Sequence, residues 1–382
     1  MSQQPETLIT VDINKALSIL ADRNGSELFL TVGHPPCLKI NNQLVSIAKT
    51  SLTSEQASRL FAEMMGVERF QEFRESRECN YAIQNPDSGR FRISAFFQKG
   101  EPGMVIRRIH HHIPEPQELG LPDILCDLVL QERGLILITG AAGTGKSTSM
   151  ASLVNHRNKM GKGHIITIED PIEFIHSHNN CIVTQREVGL DTKTYEEGLS
   201  NALRQAPNLV VIGEIRSPQV MKHTIEFVQT GHLCIATLHA NTAYQALERI
   251  IHFFPRERHQ EVLMNLSLSL QGILGQQLIA AEDGSAAYPC HEILLNTPAL
   301  ADLIKKGKVD EINGLMERSS EVGMQTIDQS IFNLFKSGKI SDRQAIQYAD
   351  SSNNMRLMIK MDGHKNDHSD DDDFGNLTIA SD

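Results

Sequence analysis

Residues 134–150, GLILITGAAGTGKSTSM, constrain what this chain can fold into more than any other stretch. An apolar run at 135–139 passes through GxxxxGKS at 140–147 into a helix-forming segment, so a buried strand, a tight loop and a helix must follow one another. Glycines let such a loop curl until consecutive N–H groups and the amino end of the helix converge on one point, which makes an anion site. Gly140, Ala141, Ala142, Gly143, Thr144, Gly145, Lys146, Ser147 and Thr148 are therefore expected to cradle the phosphates of ATP. Lys146 is expected to reach the β- and γ-phosphates, and the Ser147 hydroxyl to meet a magnesium ion.

Further apolar runs at 165–168, 209–212 and 233–237 alternate with amphipathic helical segments. Strands buried on both faces and joined by helices predict an α/β fold with a mostly parallel sheet, whose ligands bind at the carboxyl ends of the strands. Two of these strands end in acids. LVVIGEIRS carries Gly213 where a nucleotide hydrolase usually has an aspartate, followed by Glu214, and IITIEDPIEF ends in Glu169, Asp170 and Glu173. Glu169, Glu214 and Lys146 are expected on one rim, with Pro171 forcing an extended turn that presents Glu173 there. On this basis Glu214 takes the magnesium-water role alone, and the acidic loop supplies the base that polarises the attacking water. A merely solvated loop is the competing possibility. TGHLCIATLHA places His232 and His239 seven residues apart, on opposite faces of a regular strand, which makes them poor co-ligands of a metal. Hydrogen bonding to the γ-phosphate and simple capping both remain open for them.

Residues 1–109 alternate short strands and helices as a smaller α+β domain. Within it RFRISAFFQ puts Arg90, Arg92 and Ser94 on one face and Phe91, Ile93 and Ala95 on the other. A proline-rich linker at 110–118 follows, whose histidines at 110–112 make an improbable metal site, and then the ATP-binding domain at 119–355. From Arg258 onward the pattern is mainly helical, interrupted by a hairpin with EDGS as its turn and YPCHEILL as its second arm. The segment 356–382 is too polar to bury a core and is expected to be a disordered acidic tail. It either solubilises the chain or docks a partner through Leu377, Thr378 and Ile379.

The net charge is −11, and 362–382 holds seven Asp against one Lys, more than half of it. That balance predicts no nucleic-acid partner. The six cysteines are scattered with no CxxC spacing, as expected of buried free thiols in a reducing compartment. The first residues do not read as a signal peptide, and no apolar run approaches the roughly 20 residues that span a bilayer. A cytoplasmic protein with no direct membrane insertion is expected.

Four segments in order resemble the secretion ATPase superfamily of type II and type IV systems, and within it the type IV pilus retraction ATPases of the PilT/PilU kind. They are GAAGTGKST, TIEDPIEF as the aspartate box, LVVIGEIR as the glycine-bearing Walker B strand and TGHLCIATLHA as the histidine box. QREVG, LERIIHFFP and GMQTIDQSI extend the resemblance over about residues 10–350. It implies a PAS-like amino-terminal domain, a RecA-like ATPase domain and a homo-hexameric ring, peripheral at the inner-membrane base of the pilus machine. It also implies twitching motility as the output and an inner-membrane platform protein as a partner. By position it implies Glu173 as general base, Glu214 as the magnesium-side acid, His232 and His239 beside the nucleotide, and Arg249 approaching the phosphates. Arg90, Arg92, Arg107 and Arg108 are the candidates to reach across a subunit boundary, although a solvated strand face accounts equally for Arg90 and Arg92. Ser217, Ala206 and Asn208 stand where PilT-like motors have other residues, two of them acids. ALADLIKKGK and the long tail also depart from that pattern. These differences favour the PilU branch, an accessory to a PilT-like motor, with a nucleotide-holding scaffold of little intrinsic activity as the alternative.

Overall fold

The computed structural model describes residues 12–40, 43–109, 112–281 and 287–366. The chain divides into two compact units, one of Met1–Ile113 with Ile172–His176, the other of Pro114–Pro171 with Ser177–Asp382. The first division falls between Ile113 and Pro114, and Ile172–His176 groups with the first unit. The histidines at 110 and 111, the EDGS turn, and the tail from 367 onward lie outside the described residues.

The first unit contains α1 (Ile13–Asp22), β1 (Glu27–Thr31), β2 (Cys37–Ile40), β3 (Gln43–Ser46), α2 (Ser54–Met65), α3 (Val67–Ser76), β4 (Glu78–Asn85), β5 (Gly89–Gln98) and β6 (Glu101–Ile109). Its sheet runs β3-β2-β1-β6-β5-β4 and every pairing in it is antiparallel. Strict alternation on β5 buries Phe91, Ile93 and Ala95 against α1 and α2, and leaves Arg90 and Arg92 on the other face, as the spacing predicts.

The second unit opens with α4 (Asp123–Val129), β7 (Gly134–Thr139), α5 (Lys146–Met160), β8 (Gly163–Glu169), β9 (Cys181–Glu187), α6 (Tyr195–Ala202) and β10 (Leu209–Ile212). It continues through α7 (Pro218–Gln229), β11 (Leu233–Leu238), α8 (Ala243–His252), α9 (His259–Ser269), β12 (Leu270–Ala280) and β13 (Ala287–Leu295). It closes with α10 (Pro298–Lys305), α11 (Ile312–Glu317), α12 (Ile327–Lys336), α13 (Asp342–Tyr348) and α14 (Ser352–Asn366). The sheet order is β13-β12-β7-β11-β10-β8-β9, with only the β12–β13 pair antiparallel. Every residue of β7, β10 and β11 is buried. Leu135 and Leu137 join the core on one face of the sheet while Ile136 and Ile138 join the core on the other, which is what a parallel sheet with helices on both faces requires.

Helix α14 covers residues 356–366 of the segment expected as a disordered tail. Cys37, Cys126, Cys181, Cys234 and Cys290 are buried and Cys79 is half-buried, all six as free thiols. Among the described residues no helix is long and apolar enough to cross a membrane.

Candidate active site

Central strands β7, β11, β10 and β8 end at one edge of the second sheet, and the loop at 140–145 leaves β7 there. The loop closes at Gly145, in the left-handed region with φ 88°, where a side chain would be strained. Gly145 is also the N-cap of α5 and gives it no capping side chain, and the first turn of α5 holds no acid. By contrast α2, α12 and α13 begin with Thr or Ser capping boxes. The first N–H groups of α5 are thus left for an anion.

Lys146 opens α5 and is only 8% exposed. Its Nζ donates to the carbonyls of Gly140 at 2.9 Å and Ala141 at 2.7 Å, and lies 3.5 Å from His239 Nδ1. His239 Nε2 lies 3.2 Å from Glu214 Oε1, and Arg216 Nε donates to Glu214 Oε2 at 2.8 Å. A proton on Nε2 with Nδ1 accepting satisfies both ends, since Lys146 can only donate and the Glu214 carboxylate can only accept. Lys146, His239, Glu214 and Arg216 therefore form one continuous polar chain across the ends of β7, β11 and β10. A second guanidinium contact, Arg216 to Asp170 at 3.5 Å, ties the end of β8 to it. Arg249 of α8 donates to the His239 carbonyl at 2.7 Å, which fixes the segment after β11.

The glycine at 213 has a local cause. A Cβ there would stand 2.9 Å from the Tyr195 hydroxyl and 3.1 Å from Glu169 Cα. The side chain of an aspartate would run into β8, so Glu214, one residue on, is the first acid this strand can present. Burial, with the negative charge of Asp170 next in weight, pushes the Tyr195 hydroxyl pKa well up, so it stays protonated beside these acids. Glu169 stands at the expected rim, but its Oε1 accepts from the Thr167 hydroxyl at 2.6 Å and the Gln185 amide at 3.3 Å within the β8–β9 edge.

His232 does not join the cluster. It precedes β11 at the opposite end of the strand, about 20 Å from His239 at strand rise. There its Nδ1 lies 3.0 Å from the Thr230 hydroxyl and 3.1 Å from the Phe227 carbonyl. His232 thus meets the end of α7, whereas His239 lies between Lys146 and Glu214. Glu173 is exposed and lies in the segment that belongs to the first unit. In that unit Arg107 donates to Glu27 at 3.0 Å, and Arg108 donates to the carbonyl of Ala21 at the end of α1 at 3.0 Å. Arg92 stands directly across from Arg107 in the sheet, and Arg90 across from Ile109. Burial opposes ionisation of Glu27, yet the Ser26 hydroxyl, Arg107 and Lys39 outweigh it and hold the carboxyl below its usual range.

Sequence reasoning missed Arg216, Tyr195 and Glu292. Arg216 was findable, because residues two apart on an extended segment share a side and Glu214 precedes it by two. Tyr195 and Glu292 come from distant segments and carry no local signal. Glu292 is buried on β13, and its Oε2 accepts the Ala243 N–H at the start of α8. Burial pushes its carboxyl up to about 7, against the pull of that N–H.

Residues 8–330 match the family described as type II/IV secretion system protein. The type IV pilus ATPase PilU of Pseudomonas aeruginosa is 50% identical over 368 residues, 96% of this chain and 95% of that protein. The type IV pilus retraction ATPase PilT of the same organism is 34% identical, over 89% of this chain and 98% of that protein. A crystal structure of the pilus retraction motor PilT with bound ADP superposes with a TM-score of 0.83 at 32% identity, covering 89% of this chain and 98% of that one. The α/β, RecA-like expectation for the second unit agrees with that match. The chain therefore belongs to the type II/IV secretion system protein family and, within it, to the pilus ATPases of the PilT/PilU kind.

Proposed function

We propose that this chain is a magnesium-dependent ATPase that works as a six-membered ring in the cytoplasm, at the inner-membrane base of a type IV pilus. There it promotes retraction, and so twitching motility, as an accessory to a PilT-like motor acting on an inner-membrane platform protein. One observation carries the chemistry: Lys146, His239 and Glu214 meet beside an uncapped helix start at the carboxyl edge of a parallel sheet.

Lys146 exchanges its loop carbonyls for the β- and γ-phosphates, and the N–H groups of 140–148 receive the remaining phosphate oxygens. Glu214 is held by Arg216 and His239 in one rotamer, so its negative charge is positioned before substrate arrives. A donor set of one hydroxyl, Ser147, and one carboxylate with both oxygens already engaged suits magnesium, which keeps several of its waters. Ser147 would hold it directly and Glu214 through water, and the ion would neutralise charge on the transferring phosphoryl group. Among the described residues no cluster of three or more His, Cys, Asp or Glu is disposed to hold a metal by itself. Glu173 takes the proton of the attacking water. Arg90, Arg92, Arg107 and Arg108 are the candidates to reach a neighbouring subunit's nucleotide, and Arg107 and Arg108 would first have to leave Glu27 and the end of α1.

The test is ATP hydrolysis by the purified full chain, alone and mixed with a PilT-like ATPase, for wild type and Glu173→Gln. Turnover in wild type that Glu173→Gln lowers by about 100-fold supports the motor reading, the scale expected for a group acting in proton transfer. Equal, negligible rates in both would make the chain a nucleotide-holding scaffold.

A further inference from the structure

The phosphate loop is gripped from a strand that contains none of its motifs. β12 runs parallel to β7, and an irregularity between Leu270 and Gly272 sets Gly275 opposite Thr139. Gln276 therefore stands beside Gly140, where the loop leaves β7. With an unbroken register from the Leu270–Leu135 pair, Gly275 would stand there instead and offer the loop no side chain.

Gln276 is 6% exposed and meets the loop at both ends. Its main-chain carbonyl oxygen stands 2.4 Å from where a Cβ on Gly140 would be, and its side-chain Nε2 stands 2.9 Å from where a Cβ on Gly145 would be. Its Oε1 accepts a hydrogen bond from the buried Ser149 hydroxyl, in the first turn of α5, at 2.8 Å. Burying an amide carries a desolvation cost that this bond offsets. Lys146 and Ser147 lie between the two points held, Gly145 and Ser149, so their direction follows from this one side chain.

We propose that Gln276 is a positioning residue for nucleotide binding: its side chain sets the Gly145 end of the phosphate loop and the first turn of α5, and so the aim of the groups that meet the phosphates. The proposal rests on the nucleotide-binding reading of that loop.

The experiment measures binding of a fluorescent ADP with magnesium and steady-state ATP hydrolysis, using the full chain. The variants are Gln276→Leu, Ser149→Ala, the double variant, and Gln277→Leu as a control from the other side of the strand. Gln276→Leu is expected to raise the ADP Kd and the ATP KM about 10-fold while kcat changes by less than about 3-fold, the size of a lost buried hydrogen bond. Ser149→Ala should raise them about 3-fold, with the double variant no worse than Gln276→Leu because the two share one bond. Gln277→Leu should match wild type. Wild-type Kd and KM in Gln276→Leu, even with a lowered melting temperature, would overturn the proposal, as would equal damage from Gln277→Leu. If Gln276→Leu does not fold, an unchanged Kd in Ser149→Ala overturns it. A wild type that binds no ADP, or a Lys146→Ala variant that binds it as tightly, removes the nucleotide reading and this proposal together. A binding wild type beside an unaffected Gln276→Leu removes the positioning role alone.

Discussion

At the scale of single residues the site depends on where carboxylates and charges can physically stand. Gly213 shows this most clearly, because space and not chemistry excludes an aspartate there. Gly213→Asp is expected to destabilise the chain by about 1–3 kcal/mol through overpacking against Tyr195 and β8, without raising activity. Tyr195→Phe in the same background removes the hydroxyl nearest the new side chain and should recover part of that loss; thermal melts of the two variants measure both. Lys146→Ala should abolish nucleotide binding with the circular dichroism spectrum unchanged, since its charged end contacts loop carbonyls and His239 rather than the apolar core. The acids and the lysine were legible in the sequence because each follows directly on a buried strand or opens a helix. Their partners were less so. Arg216 needed only the two-residue alternation, whereas the Tyr195 hydroxyl and the Gln276 amide arrive from segments that only the sheet order brings near.

At the scale of elements, β7, β8, β10 and β11 were readable as apolar runs because they are buried on both faces. The edge strand β9 was not, since polar and apolar residues mix along it and its partner covers one side alone. The hairpin of β12 and β13 was expected, but not that β12 would pair in parallel with β7 and complete the loop's support. The same hairpin brings Glu292 under the start of α8, the helix that carries Arg249. Its carboxyl, ordinarily near 4.5, is raised to about 7 in the folded chain, chiefly by burial. The folded state then holds a proton that the unfolded chain has lost, so stability falls as pH rises from about 4.5 to about 7 and levels off above that. Glu292→Gln keeps an acceptor for the Ala243 N–H and has no charge to bury. It should be more stable than wild type at pH 8 by on the order of 2–3 kcal/mol and closely similar at pH 4.5. Melting temperatures of the two proteins across that range decide it, and parallel curves would mean that Glu292 is not buried as described.

For the whole molecule, the identity to PilU over 96% of the chain leaves little of it outside the family pattern. Ring formation is expected to appear in light scattering as a species six times 42.5 kDa in the presence of magnesium and nucleotide, and a monomer under those conditions would speak against it. The most direct test of the central claim, that the rim of Lys146, His239 and Glu214 is built to hydrolyse ATP, is the rate of magnesium-dependent phosphate release by the purified full chain and its Glu214→Gln variant. Glu214→Gln should keep the fold and the ADP affinity within a few-fold of wild type, and lose about 100-fold or more in rate. Equal rates in the two proteins, with wild type clearly active, would place the chemistry elsewhere.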